Sequence, residues 1–353
     1  MIDRPHYTIV VIAVLTSLLG ACRGASTPSC TPFGDRPAQL FSPIVPVCAL
    51  GKRLGPWSDG DGTPRYACLY EPPPAAAAKP LPLVVYLHPS LVPADNVEVM
   101  TNLLEQRASA NLSDDPARPG FILLAPQGRN THHYYPPPDS AGPGWDNWYR
   151  QFSPDGDVVV DGVRYAENVD AAAIDHFIAT AAATGKVDPA RIYLTGWSNG
   201  AAMAYAYGLS RSTIAAIAVY SSPDPYQLTT DGCFQKPVTG AAANHTELQI
   251  FNTRSPAYQV HNGCDIAGIC PNALFLERQL RTLGIDARDT ILDDHQNAVT
   301  RCDDSCGTNP NGDLTNLNAL SRGLINHARW PDKWTLAMLD FFRHHPLRHA
   351  GGA

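Results

Sequence analysis

The ten residues RIYLTGWSNG, Arg191 to Gly200, constrain the fold of this chain more than any other segment. A run of β-formers (RIYLT) leads straight into Gly196-Trp197-Ser198-Asn199-Gly200, and an alanine-rich run (AAMAYAYGL) follows at once. A strand, a serine between spaced glycines, and a helix make the tight strand-to-helix turn that exposes a serine hydroxyl. The glycines relieve crowding where the strand end meets the helix start. Asn199 follows Ser198, so its backbone N–H lies at the start of the helix, where the dipole favours a developing negative charge. The five-residue string alone is a weak signal, and the strand and helix around it give it meaning. Ser198 is the candidate nucleophile and the Asn199 N–H a candidate oxyanion donor.

The rest of the chain supplies a sheet for this turn to sit on. Leu81 to His88 (LPLVVYLH) and Phe121 to Pro126 (FILLAP) are short continuous apolar runs of the kind buried on both faces of a parallel sheet. Further strands are expected at Arg65 to Glu71, Ile214 to Tyr220, Tyr258 to His261 and Thr290 to Leu292. Helical spacing marks Asn96 to Ala110, Glu167 to Thr184, Asn199 to about Leu209, Asn272 to Leu283 and Lys333 to His344. Strands alternating with helices predict an α/β fold, a mostly parallel central sheet with helices on both faces. The Pro/Gly-rich stretch His132 to Gly156 and the Asn/Asp/Gly-rich stretch Cys302 to Asn318 are long excursions, expected to lie over the site.

A serine nucleophile needs an imidazole to accept its proton and a carboxylate to orient that imidazole. On a strand-turn-helix scaffold of this kind the order is serine, acid, histidine. Histidines before Ser198 violate that order, and His344 and His345 end the last helix. His327 fits: Leu324-Ile325-Asn326-His327 reads as a strand-like run that leaves His327 in a loop before the terminal helix. For the acid, Pro256 to Asp265 (PAYQVHNGCD) reads as a strand and a turn ending in a carboxylate, which favours Asp265. Asp224, beyond the preceding strand, and Asp293 or Asp294, beyond the next, satisfy the same order.

Several segments together resemble one group, the polyhydroxybutyrate depolymerase and feruloyl or acetylxylan esterase-like family of α/β-hydrolases. They are Leu87-His88-Pro89-Ser90, Ala125-Pro126-Gln127-Gly128, Val187 to Ala204 (VDPARIYLTGWSNGAAMA), Pro256 to Asp265 and Asn326 to Pro331 (NHARWP). The resemblance covers about residues 65 to 345. It implies the α/β-hydrolase fold, an ester-hydrolysing activity and the set Ser198, Asp265 and His327, whose acyl-enzyme cycle calls for no cofactor or metal. It also implies an oxyanion hole made by backbone amides near Ser90 together with Asn199. Pro89 departs from the glycine usual after His88, and has no N–H to donate.

The ends of the chain and its cysteines speak to location. Arg4 precedes an apolar run from Ile9 to Leu19, too short to span a bilayer, which ends in Leu19-Gly20-Ala21-Cys22. Residues 1–21 read as an export signal, and the segment resembles a lipobox, which implies a lipid anchor on Cys22; ordinary secretion is the alternative. Removing Cys22 from nine cysteines leaves eight (Cys30, Cys48, Cys68, Cys233, Cys264, Cys270, Cys302 and Cys306), an even number that suits disulfides in an exported chain. A zinc site at Cys264, Cys270, Cys302 and Cys306 is the rival reading, but their spacings lack the short CxxC knuckle. Residues 22–62 read as a tether and irregular lead-in, 63–346 as the catalytic domain and 347–353 as a tail. A net charge of -7 without a basic run excludes the footprint of a nucleic-acid binder.

Tyr134, Tyr135, Trp145, Trp148 and Tyr149 crowd one excursion, and Trp197 and Trp330 adjoin two candidate site residues. Trp145, Trp148, Trp197 and Trp330 are therefore candidate substrate-binding residues, with packing beneath the loops as the alternative. The expected function is an exported serine esterase acting on a polyester or a plant-cell-wall ester. The alternatives are a peptidase on the same fold and a lipoprotein that binds a polymer or glycan without turnover.

Overall fold

Strands that are apolar on both faces need cover on both sides, and here they lie at the centre of one sheet. The computed structural model describes residues 44–347 except 61, 74–78, 131–141, 146–157, 161–162, 166–168, 224, 226–253, 267–268 and 307–316. The leader, Cys22, Cys30, Trp148, Cys233 and Asp224 lie outside the described residues.

Among the described residues one sheet has nine strands: β1 (Lys52–Ser58), β2 (Pro64–Tyr70), β3 (Leu81–Leu87), β4 (Ile122–Pro126), β5 (Val187–Trp197), β6 (Ala216–Tyr220), β7 (Ala257–Asn262), β8 (Ala287–Leu292) and β9 (Ala298–Val299). Their order is β1-β2-β4-β3-β5-β6-β7-β8-β9. β3 to β8 are parallel, while β1, β2 and β9 pair antiparallel at the margins. The helices are α1 (Val97–Met100), α2 (Leu103–Gln106), α3 (Val169–Ala182), α4 (Asn199–Gly208), α5 (Ile269–Thr282), α6 (Leu317–His327) and α7 (Thr335–Arg343).

Side chains alternate along a strand, so each central strand feeds two cores. Leu83, Val85 and Leu87 of β3 pack in one cluster with Phe177 of α3, Met203 of α4 and Leu276 of α5. Val84 and Tyr86 join the opposite cluster with Val97 of α1 and with Met338 and Phe342 of α7. The helices cover both faces, as the α/β pattern requires.

Three elements differ from the sequence reading. The lead-in expected to be irregular up to residue 62 contains β1, and the Cys48–Cys68 disulfide ties the segment just before it to β2. The helix expected from Asn96 to Ala110 breaks at Thr101, whose backbone is extended (φ -128°, ψ 164°). There the Thr101 hydroxyl donates to Val97 O at 3.0 Å and accepts from the Leu103 N–H at 3.3 Å, replacing the helical ladder. The run Leu324 to His327, expected to be strand-like, is the last turn of α6. Leu320, Gly323, Leu324 and His327 fall on one helical face, a spacing that outweighs the apolar run.

Two more disulfides, Cys264–Cys306 and Cys270–Cys302, occupy all four sulfurs of the rival zinc reading, which they exclude. No helix among the described residues is long and apolar enough to cross a membrane. The parallel strands bring their carboxyl ends to one edge: Leu87 pairs with Gly196, Trp197 with Tyr220, and Tyr220 with Val260. The turns leaving that edge after β5 and β7 carry Ser198 and Asp265.

Candidate active site

Ser198 sits at φ 56° and ψ -124°, a region that costs a non-glycine residue on the order of 1–3 kcal/mol. The turn tolerates it because the backbones on either side close tightly. A Cβ on Gly196 would lie 2.5 Å from Gly200 O, and one on Gly200 would lie 2.2 Å from Leu87 O. No side chain larger than hydrogen fits at either position, which is the physical content of the two glycines. The Ser198 N–H donates to Tyr220 O at 3.1 Å, fixing the turn to β6. Asn199 opens α4, so its N–H has no partner within the helix. Its side chain clamps a neighbouring loop: Oδ1 accepts from the Trp145 N–H at 2.7 Å and Nδ2 donates to Trp145 O at 3.2 Å.

His327 is the final residue of α6, with its ring between a hydroxyl and a carboxylate. Nε2 lies 2.7 Å from Ser198 Oγ, and Nδ1 lies 2.7 Å from Asp265 Oδ1. With the carboxylate accepting from Nδ1–H, Nε2 is left to accept the serine proton, a tautomer fixed by the network rather than by observed hydrogens. The last carbonyls of a helix lack intrahelical donors, and here side chains supply them. Tyr220 OH donates to Asn326 O at 2.7 Å and the Trp197 indole N–H to His327 O at 2.8 Å. Burial, and after it the Asp265 charge, pushes the Tyr220 hydroxyl well up, so it remains a donor.

Asp265 follows β7 and is buried, with a side chain 0% exposed. Oδ1 also accepts from the Ile266 N–H at 2.8 Å, and Oδ2 accepts from the Ser221 hydroxyl. Ser221 itself is fully buried at a positive φ of 53°. The Asn326 amide ties the acid loop to α6, donating to Asn262 Oδ1, Cys264 O and Asp294 Oδ1 at 3.1, 2.9 and 2.8 Å. The other described candidates for the acid are engaged elsewhere. Asp293 accepts from the His295 and Asn297 N–H groups. Burial acts to raise the Asp294 carboxyl, but hydrogen bonds from Arg322 and Asn326 outweigh it and hold the group below its ordinary value.

The end of β3 forms the opposite wall. His88 is fully buried; Nδ1 lies 2.8 Å from Pro89 O, and Nε2 accepts from the Gly128 N–H at 2.9 Å. Burial pulls the ring down to about 4, so it is neutral near pH 7 and donates from Nδ1. Beyond Pro89, the Leu91 N–H donates to Pro143 O at 2.7 Å, and Leu91 has a positive φ of 72°. The Ser90 Oγ between them is buried and has no hydrogen-bond partner.

The tryptophans read as candidate substrate-binding residues take a different part. Trp145, Trp197 and Trp330 are 0, 2 and 1% exposed, and each indole N–H points into the protein: to His88 O, His327 O and Thr335 Oγ1. Rings buried to this extent have no surface left for substrate. They brace the site rather than line it. Sequence reasoning missed Ser221, Tyr220 and Asn326; the signal for Ser221 is its place at a strand end on the same sheet edge.

The buried imidazoles make stability pH-dependent. The unfolded chain takes up a proton at His88 near pH 6.5 that the native protein refuses down to about 4. Stability from this group is therefore full above about pH 6.5 and falls toward pH 4. His261, buried and also shifted downward by burial, acts in the same direction. Denaturant unfolding is expected to give a stability lower by about 2–3 kcal/mol at pH 4.5 than at pH 7.5 from His88 alone. Equal values at the two pH values would overturn this account.

No family model and no curated protein matches the chain. Solved structures do. A thermostable esterase aligns over 85% of this chain and 64% of its own, at 15% identity and a TM-score of 0.50. The fold is that of the α/β-hydrolases. The chain spans about two thirds of that neighbour's length. An esterase from Pyrobaculum calidifontis aligns over 82% of each chain at 14% identity and a TM-score of 0.46. An acetyl xylan esterase from Aspergillus awamori aligns over 57% of this chain and 68% of its own, at 17% identity and a TM-score of 0.37.

Proposed function

We propose that the chain is an exported serine hydrolase of carboxylic esters, with Ser198 as nucleophile, His327 as base and Asp265 as the acid that orients it. One observation carries the reading: Ser198 Oγ, the His327 ring and the Asp265 carboxylate form a continuous relay with both contacts at 2.7 Å. A buried serine–histidine–carboxylate chain at a strained turn has a cost to stability and a use in acyl transfer.

The cycle follows from the donors and acceptors. Ser198 Oγ attacks the ester carbonyl as its proton passes to His327 Nε2, and the carbonyl oxygen becomes an oxyanion facing the N–H groups of Asn199 and Ser90. The C-terminal end of α6 and Asp265 favour the imidazolium while it exists. His327 then returns the proton to the departing alcohol, leaving an acyl-serine. Water, deprotonated by His327, attacks the acyl carbon, and collapse releases the acid and restores Ser198. Every proton is accounted for by His327, with no metal or organic cofactor.

The sequence resemblance to polyhydroxybutyrate depolymerases and feruloyl or acetylxylan esterases favours a polyester or a cell-wall ester as substrate. The lipobox-like segment favours anchoring to a membrane by lipid on Cys22, with the disulfides in keeping with export. A fluorophosphonate probe tests the core of the reading. Wild type is expected to label stoichiometrically and Ser198→Ala not at all, with ester turnover lost by at least about 10⁴-fold. A folded wild type that neither labels nor hydrolyses nitrophenyl esters would leave the polymer-binding alternative in its place. Hydroxybutyrate oligomers, feruloyl esters, acetylated xylan and peptide amides then divide the substrate classes.

A further inference from the structure

We infer that the Ser90 hydroxyl is a third donor of the oxyanion hole, acting beside the backbone N–H groups. The inference rests on the serine-esterase reading above and concerns a side chain that this reading leaves unused.

A buried hydroxyl without a partner is rare in a native fold and is retained where a ligand completes it. Ser90 Oγ is such a group. Thr195 and His261 also carry buried polar atoms without partners, but they sit inside β5 and β7. Ser90 lies beyond the sheet edge, three residues past Leu87, whose backbone pairs with Gly196 of the nucleophile turn. The carbonyls of Leu87 and His88 both press on Gly200, so this segment and the start of α4 are in contact. The Asn199 N–H opens α4 against this segment, so an oxyanion formed at Ser198 develops beside it.

The segment is also held in place before substrate arrives. His88 grips Pro89 O on one side of Ser90, and the Leu91 N–H grips Pro143 O on the other. Leu91 is kept at a φ of 72°, which an unrestrained leucine avoids. Trp145 joins the two walls, its indole on His88 O and its backbone clamped by Asn199. A donor fixed in this way needs no reorganisation when charge develops, which is the condition for oxyanion stabilisation. Pro89 fits the same picture: it contributes no N–H, and the hydroxyl next to it restores a donor to the loop.

Ser90→Ala keeps the backbone N–H and removes only the hydroxyl. With an ester the wild type hydrolyses, kcat is expected to fall about 10- to 100-fold with KM within about twofold. The melting temperature is expected to be unchanged or higher, since the substitution deletes an unpaired buried group. Affinity for an alkyl trifluoromethyl ketone, to which Ser198 adds to form a hemiketal oxyanion while His327 takes the proton, should fall by the same factor as kcat/KM. Ser90→Thr, which keeps a hydroxyl, should retain kcat within about fivefold. A wild-type kcat in Ser90→Ala overturns the inference. So does a fall in kcat matched by falls in melting temperature in both variants, which would make Ser90 a packing residue. An inert wild type would instead overturn the esterase reading, so the two failures are distinguishable.

Discussion

Asp265→Asn is expected to lower kcat by about 10³-fold or more while the protein stays folded. The geometry explains which part of the acid's work is lost. Oδ1 receives two donors, the His327 ring and the Ile266 N–H, whereas Oδ2 faces the Ser221 hydroxyl, which is able to turn and accept. An asparagine therefore sets its oxygen at the Oδ1 position and its amide toward Ser221. The imidazole keeps its tautomer and loses the negative charge that stabilises its protonated form. Asp294→Asn, by contrast, breaks a pairing with Arg322 and leaves the ring's partner in place, so less than about a tenfold loss is expected. Steady-state kinetics on the two variants decides between them. A wild-type rate in Asp265→Asn, or a larger loss in Asp294→Asn, would assign the acid elsewhere.

Removing the Cys264–Cys306 bridge is expected to cost both stability and rate, because Cys264 is bonded directly to Asp265. The bridge closes a separation of 42 residues and encloses the 32 between Cys270 and Cys302. Loop entropy alone puts its loss at roughly 4 kcal/mol, less where the inner bridge already restricts the same segment. Positioning adds a kinetic effect: an acid that wanders by an ångström or so no longer meets Nδ1, with an expected fall in kcat of about 10²-fold. Cys264→Ser/Cys306→Ser, assayed well below its melting temperature, is the test. Cys48→Ser/Cys68→Ser is the control, since that bridge ties the segment before β1 to β2 and involves none of Ser198, His327 and Asp265. It should lower the melting temperature and spare kcat. Equal kinetic losses in both variants would mean that the acid loop owes its geometry to the whole fold.

What was legible in the sequence was mostly what is local. Leu81 to His88 announced a buried strand through composition alone, and the glycines about Ser198 announced a turn that needs them. The order of serine, acid and histidine along the chain selected three residues that the structure brings together. The errors came where a distant partner decides. β1 carries Gly55 and Pro56, which read as loop residues, yet they sit where the β1–β2 register shifts, and an edge strand accommodates such a break. Trp145 reads as a substrate wall because aromatic residues crowd its excursion, whereas its burial depends on His88 and Asn199, 57 and 54 residues away. Rank order selects His327 but not its element, since Leu324 and Ile325 mimic a strand and the helical face is visible only when Leu320 and Gly323 are counted with it. Disulfide pairing was beyond reach, as eight cysteines allow about 105 connectivities.

The location of His327 at the end of a helix rather than in a loop makes its bearing a matter of phase. Each residue of an α-helix advances the side chains by about 100° around the axis. Deleting or inserting one residue within Leu317–His327 would swing the imidazole about a quarter turn away from Ser198, while the Trp197 and Tyr220 donors would meet different carbonyls. A loop absorbs such a change by bending; this segment has no such slack. Length variation in descendants of this sequence should therefore avoid these eleven residues, even where their composition is free to drift.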